Sequence, residues 1–304
     1  MEKNRLLNPA TLILSLFILL VNITVTLAQD QSSSQQIDKS IAEERTGGHF
    51  MLYGDLISIW NPLGIGFYGG INYHDAYRYD ENIGAESSYW QTGLGLGLSP
   101  AYGNANVHFE WMPWIILPLR VQYDYYHYVG VNQGLLSFNS ANASFSESVI
   151  KNRHDEEVAN GQRFMFQPTL QGKIGPILLQ SQTDFAHYNF SGRGPFFLEL
   201  DNHTLLKNND WLITNIMQVM YESWKGLHEE TLLVGPYYEV GRAIDARITQ
   251  QKIGGQLYWV PFGSIWGFDR PRVEIRVGYY LQDPNLKGQI YLLLGLGFDL
   301  DIHS

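Results

Sequence analysis

The chain has 304 residues, no cysteine, and 20 basic against 30 acidic side chains, a formal charge of −10. That acidic balance excludes a nucleic-acid partner, because neutralising phosphates requires clustered Lys and Arg. The missing thiols exclude a disulfide framework, a cysteine metal site and a thiol nucleophile.

Lys3 and Arg5 precede a short apolar run, Leu12 to Val21, and Thr26-Leu27-Ala28 supplies the small residues that a signal peptidase reads. The run stops at Asn22, well short of the ~20 apolar residues a membrane-spanning helix needs. Residues 1–28 are therefore expected to be a cleaved signal peptide, and no Cys follows Ala28 to make a lipoprotein. Without Glu2, Lys3 and Arg5 the remainder carries 29 acidic and 18 basic residues, a charge of −11. Residues 29–48 are rich in Ser and Gln without periodicity, and read as a flexible polar periplasmic arm.

From His49 onward the pattern alternates with period two, the signature of strands with one apolar face. Val107, Phe109 and Trp111 oppose Asn106, His108 and Glu110, while Leu119, Val121 and Tyr123 oppose Arg120, Gln122 and Asp124. Phe164, Phe166, Pro168 and Leu170 oppose Arg163, Gln167 and Gln171. Val273, Ile275 and Val277 oppose Arg272, Glu274 and Arg276. The last run, from Gln289, sets Ile290, Leu292, Leu294, Leu296, Phe298, Leu300 and Ile302 against Tyr291, Gly295, Gly297, Asp299, Asp301 and His303. It is longer than the 5–6 residues usual in a soluble strand and matches the roughly 9–11 of a tilted membrane strand.

Turn chemistry separates the runs at Asn61-Pro62-Leu63-Gly64, Gly103-Asn104, Gly175-Pro176, Asn208-Asn209-Asp210 and Asp283-Pro284-Asn285. The longest connection, 130–161, is charged around Lys151 to Glu157 and is expected to be a surface loop. A soluble lipocalin-like barrel or sandwich would turn the apolar faces inward. Strand length and frequent aromatics (19 Tyr, 15 Phe and 8 Trp) favour lipid-facing apolar sides instead. No second apolar run can form a spanning helix, so only a closed sheet satisfies every backbone group in hydrocarbon.

The fold expected over residues 49–304 is an all-β, transmembrane, antiparallel up-and-down β-barrel of about 12 strands, with 14 as the alternative, since bacterial barrels have even counts. Twelve requires 104–128 to be one strand and 195–205 to be a wall strand. With periplasmic termini it also puts connections 75–88 and 129–162 on the periplasmic side, the reverse of the usual asymmetry.

In these features the chain resembles Gram-negative outer-membrane β-barrel proteins as a class, which implies an outer-membrane location and insertion by the barrel assembly machinery. Such proteins commonly end on an aromatic residue, whereas the last aromatic here is Phe298, six residues before Ser304.

With the apolar faces in lipid, the lumen is expected to hold Arg120, Asp124, Arg163, Glu199, Asp201, His203, Arg272, Glu274, Arg276, Asp299 and Asp301, besides His108, Glu110, Lys173, Asp184, Glu222, Glu239 and His303. These form either an interior ion-pair lattice or a charged conduit for small polar solutes. Glu199, Asp201 and His203 fall on one strand face, and Asp299, Asp301 and His303 repeat that spacing. Carboxylates with a His could bind a cation or form an acid–base pair. Two-residue spacings arise on any polar strand face, so lining is the expectation, with neither metal nor cofactor. Gly93-Leu94-Gly95-Leu96-Gly97 lacks the following helix and Lys of a nucleotide loop. With Gly66, Gly70, Gly295 and Gly297 these glycines are expected to form a bare wall facing Arg120, Arg163, Arg272 and Arg276, a path biased toward anions. His154-Asp155-Glu156-Glu157 is expected to be a solvated charge run.

The function expected is a porin-like channel for small polar solutes. An enzyme acting on envelope lipid or peptide, or a structural or partner-binding barrel, is the alternative.

Overall fold

The computed structural model describes residues 47–60, 64–80, 85–130, 134–145, 149–150, 152–153, 155–225, 230–261, 264–265 and 268–302. The expected signal peptide, residues 29–46 of the expected arm, Asn61 to Leu63, Lys151, His154, His303 and Ser304 lie outside the described residues. Gly47 and Gly48, assigned from sequence to the arm, instead open the first strand.

Among the described residues sixteen strands follow in chain order: β1 Gly47–Trp60, β2 Gly64–Asp80, β3 Ala85–Leu98, β4 Tyr102–Met112, β5 Leu119–Val129, β6 Ser137–Phe138, β7 Val158–Ile174, β8 Ile177–Phe190, β9 Phe196–Glu199, β10 Thr204–Lys207, β11 Asp210–Lys225, β12 Thr231–Ala243, β13 Ile248–Val260, β14 Ser264–Ile265, β15 Phe268–Gln282 and β16 Ile290–Ile302. Twelve of them form a closed antiparallel ring, in the order β13-β12-β11-β8-β7-β5-β4-β3-β2-β1-β16-β15 with β15 returning to β13. Closure leaves no sheet edge, as a spanning sheet requires.

The count of twelve holds, but by a different route. The 104–128 run is two strands, because Pro113 and Pro118 bracket a turn in which the Leu117 N–H donates to the Trp114 carbonyl at 2.8 Å. Proline cannot donate to a ladder, so the wall breaks there. Conversely, 195–205 is no wall strand; it forms β9, a turn and the start of β10 inside the barrel. Splitting 104–128 moves the 130–157 connection to the end opposite Gly47 and Ile302, which restores the usual asymmetry. The other expected long connection, 75–88, shrinks to 81–84, since β2 runs to Asp80 and β3 starts at Ala85.

Exposure is inverted relative to a soluble protein. Leu94, Leu96 and Leu98 on one strand are 62%, 64% and 62% exposed, while Asp124 is 0% exposed and Lys252 is 7% exposed. A belt of exposed apolar side chains this extensive exceeds what water tolerates on a monomer and matches hydrocarbon. Exposed Trp111, Trp114, Trp224 and Trp259 gather toward the end holding the termini, and Trp60 and Trp211 toward the other. Aromatic girdles of this kind mark the membrane interfaces.

Twelve strands enclose more space than wall side chains fill, and here part of it is filled by chain. Described residues of the 130–157 connection, expected at the surface, fold inward instead: β6 pairs with β9, and β9 with β10. Leu135, Leu136, Phe197, Leu198, Leu205 and Leu206 are buried in this plug. They pack on the inward-facing Tyr126, Tyr128, Tyr188 and Phe190 of β5 and β8, with the Phe190 and Phe197 rings 4.4 Å apart. Gly161 on the intervening strand leaves room for the Phe190 ring, which a Cβ there would strike at 2.2 Å. A hydrophobic core therefore sits inside the barrel at the end opposite the termini.

Candidate functional site

Beneath the plug lies a chamber of about 160 Å³. The turn between β9 and β10 contributes Asp201, Asn202 and His203 to it. The wall contributes Asp184, Thr214, Glu239, Lys252, Arg276, Tyr280 and Tyr291, with Ile59, Ile216 and Leu293 as apolar patches. Each polar wall residue is there because period-two alternation turns it inward where its sequence neighbours face lipid.

A charged relay fixes the turn to the wall. Tyr102 Oη donates to Asp201 Oδ1 at 2.6 Å, and Tyr68 and Tyr102 share a hydroxyl contact at 2.9 Å. Arg163 Nε donates to Asp124 Oδ2 at 2.8 Å while its Nη1 lies 3.9 Å from Asp201 Oδ2. Gln122 and Asn104 also donate to the fully buried Asp124, at 2.7 and 3.4 Å. Across the chamber Lys252 Nζ donates to Glu239 at 2.6 Å, and Gln250 reaches Asp283 at 2.8 Å and the His203 carbonyl at 3.4 Å.

Glu199, at the end of β9, accepts from the Asp201 and Asn202 N–H groups at 3.2 and 2.7 Å and from the Asn202 amide at 3.0 Å. Burial, reinforced by the neighbouring Asp201 charge, pushes its carboxyl up to about 7 despite those donors. Burial next to Lys252 pushes His203 down to about 3, so its ring is neutral at physiological pH. Ionisation of Glu199 begins near 4.5 in the unfolded chain but only near 7 in the plug. Between those values the folded state holds the proton that the unfolded state has lost, so stability falls as pH rises through the window. Protection factors across residues 196–207, with the base-catalysed intrinsic rate divided out, are expected to be higher at pH 5 than at pH 8, and Glu199→Gln should flatten the difference.

The expected lumen residues separate into distinct neighbourhoods. Arg120, Asp124, Arg163 and Arg276 face inward on wall strands, but Glu199, Asp201 and His203 belong to the plug, so their expected shared strand face does not exist; His203 even has a φ of 54°. Asp299 is held elsewhere, by Arg272 at 2.9 Å and Arg270 at 3.5 Å, and Asp301 by Arg270 at 3.6 Å. Arg272 also donates to Asp55 at 2.7 Å, and Arg276 to Glu274 at 2.5 Å. The two acidic clusters are thus not brought together. Among the described residues no group of three or more His, Asp and Glu side chains is arranged to hold a metal ion.

The glycine wall is not bare. A Cβ on Gly70 or Gly95 would meet Tyr53 Oη at 2.7 or 2.6 Å, and one on Gly97 would meet Asn104 at 1.9 Å. Tyr68 covers Gly66, Asn72 covers Gly93, and Asp55 with Arg272 covers Gly297; Gly295 has contact only at 3.4 Å, from Glu274. The glycines are recesses into which side chains of adjacent strands lean, a familiar reason for Gly within a strand. The anion-selective path along them does not exist in this form. Its expected cations are also neutralised, with Arg120 lying 4.0 Å from Glu110 and the other three paired as above.

Lys252 and the tyrosines of the relay escaped sequence reasoning. Lys252 was legible from alternation with the lipid-facing Ile253. Aromatic content by itself points to the membrane interfaces, yet alternation puts Tyr126 and Tyr128 on the face of Asp124, a sign that something apolar fills the barrel at that height.

No family model matches the chain, and no curated protein matches it. Among solved structures, the translocator domain of autotransporter NalP from Neisseria meningitidis has a TM-score of 0.41 at 9% identity, covering 93% of this chain and 94% of that one. The KdgM porin has 0.40 at 7% identity, covering 83% and 99%. LpxR from Salmonella typhimurium has 0.39 at 6% identity, covering 82% and 99%. At these values no activity is carried over to this chain.

Proposed function

We propose that the protein is an outer-membrane barrel of a Gram-negative bacterium, inserted by the barrel assembly machinery, that passes small polar solutes when its plug is displaced. The observation that carries this reading is the polar chamber of about 160 Å³, lined by groups of both charge signs and lying directly under a plug built from two connections. A barrel needing only rigidity could fill its lumen from the wall, without a separate folded insert whose turn residues line a cavity. The plug end is the outer face in this reading, since long connections of such barrels lie there and short turns lie in the periplasm. The plug implies gated rather than free passage, and the paired charges imply little preference for either sign.

Planar-bilayer conductance tests it. The parent should be silent or open rarely, while a variant with residues 193–207 replaced by a short Gly-Ser linker should show discrete conducting steps. Folding is checked by the heat-dependent gel shift of a closed barrel. A folded variant as silent as the parent would contradict gating and favour the structural barrel, in which the ion-pair lattice alone is the purpose.

A further inference from the structure

Three cations on the outer rim behave differently from those within. Each cation of the lumen network described above lies within 4.0 Å of a carboxylate. Lys207, Arg242 and Arg247 are exposed at the plug end and make no ion pair among the described residues.

One buried group ties together the segments that carry Lys207 and Arg247. Asp210, fully buried at the start of β11, accepts from the Lys207 N–H at 3.1 Å, the Asp245 N–H at 2.7 Å and the Ala246 N–H at 3.0 Å. It thereby ties the end of β10 to the β12–β13 turn, where Arg247 has a φ of 57°. Arg242 faces outward on β12, opposite Ile213 of β11 and Thr249 of β13. Next to Ile213 on the same outward face stands Trp211, 42% exposed and 5.1 Å from the His187 ring. Arg242 is a diagonal neighbour of Trp211, a separation that long side chains span. Against three cations the knuckle exposes one acid, Asp245. An unpaired Arg pointing out beside a girdle Trp has an anion as its natural partner, and at that height the available anions belong to lipid headgroups.

We infer that the Asp210 knuckle, with Lys207, Arg242, Arg247 and Trp211, binds the phosphomonoester headgroup of an outer-leaflet lipid, whose charge of about −2 matches three cations against one acid. Arg supplies forked donors that suit phosphate oxygens, and Trp211 lies against the upper acyl chains. The inference rests on the outward orientation of the plug end proposed above.

The test uses the full chain in nanodiscs of zwitterionic lipid doped with lipid A, with dephosphorylated lipid A, or with phosphatidylglycerol, counting retained lipid by native mass spectrometry. The parent should retain lipid A about tenfold better than the dephosphorylated form. An Arg242→Gln, Arg247→Gln double variant should fall to the dephosphorylated level, while Arg78→Gln at the other rim should behave as the parent. Equal retention by parent and double variant would overturn the site, and phosphatidylglycerol, a phosphodiester, retained as well as lipid A would overturn the phosphomonoester assignment. Orientation is read separately, since a Lys287→Cys thiol is the chain's only one. Labelling of that thiol on intact cells by an impermeant maleimide is expected. Its absence would remove the orientation, whatever the nanodisc result.

Discussion

Asp124→Ala is expected to lower the unfolding free energy in lipid vesicles by about 3–5 kcal/mol, among the largest effects of any single lumen substitution. Asp124 is fully buried and takes three donors, from Arg163, Gln122 and Asn104. Its removal strands the Arg163 guanidinium, whose next carboxylate, Asp201, stands 3.9 Å away. It also leaves two amides without their acceptor, each carrying a desolvation cost of roughly 1–3 kcal/mol. Because Arg163 bridges wall and plug, the loss should loosen the plug as well as the wall, and exchange across residues 196–207 should quicken in the same variant. Asp124→Asn, which can still accept from Gln122, should cost less. Urea titration by tryptophan fluorescence checks both. A cost below about 1 kcal/mol for Asp124→Ala would put the pair in the range of exposed surface ion pairs and deny it a structural role.

How much of this was legible in the sequence differs between wall and plug. Facing was legible almost throughout, because one solvent covers the whole outer surface and every second residue must suit it. Val273, Ile275 and Val277 could only face one way once Arg272, Glu274 and Arg276 lay between them. Strand boundaries were less legible where Pro113 broke a run without breaking its alternation. The plug was not legible, since its strands are two to four residues long and their pairing joins connections far apart in sequence. Phe196, Leu198 and Leu200 alternate like any wall strand until their partners are known. The site suffered accordingly: Asp201 was assigned to the lumen, yet its contacts with Tyr102 and Arg163 depend on how the plug folds. The filled recesses at the glycines are not legible, because a missing side chain reveals nothing about which neighbour occupies its space.

The apolar faces meet hydrocarbon and the charged faces the lumen, and every other feature of the barrel depends on that. Leu294 and Gly295 test it within one dipeptide near mid-height of β16. Leu294 is 40% exposed on the outer face, beside Ile275 of β15 and Ser58 of β1. Gly295 turns inward, with Glu274 Cβ at 3.4 Å from an added Cβ and its Oε2 at 3.8 Å, so an arginine there has space and a carboxylate nearby. In urea titrations of the barrel refolded in lipid vesicles, Leu294→Arg should cost about 2–4 kcal/mol, the range for a cation against acyl chains near the midplane. Gly295→Arg should cost clearly less, and the difference should persist at high salt. Equal costs at the two positions, or a larger one at Gly295, would contradict the lipid-out barrel.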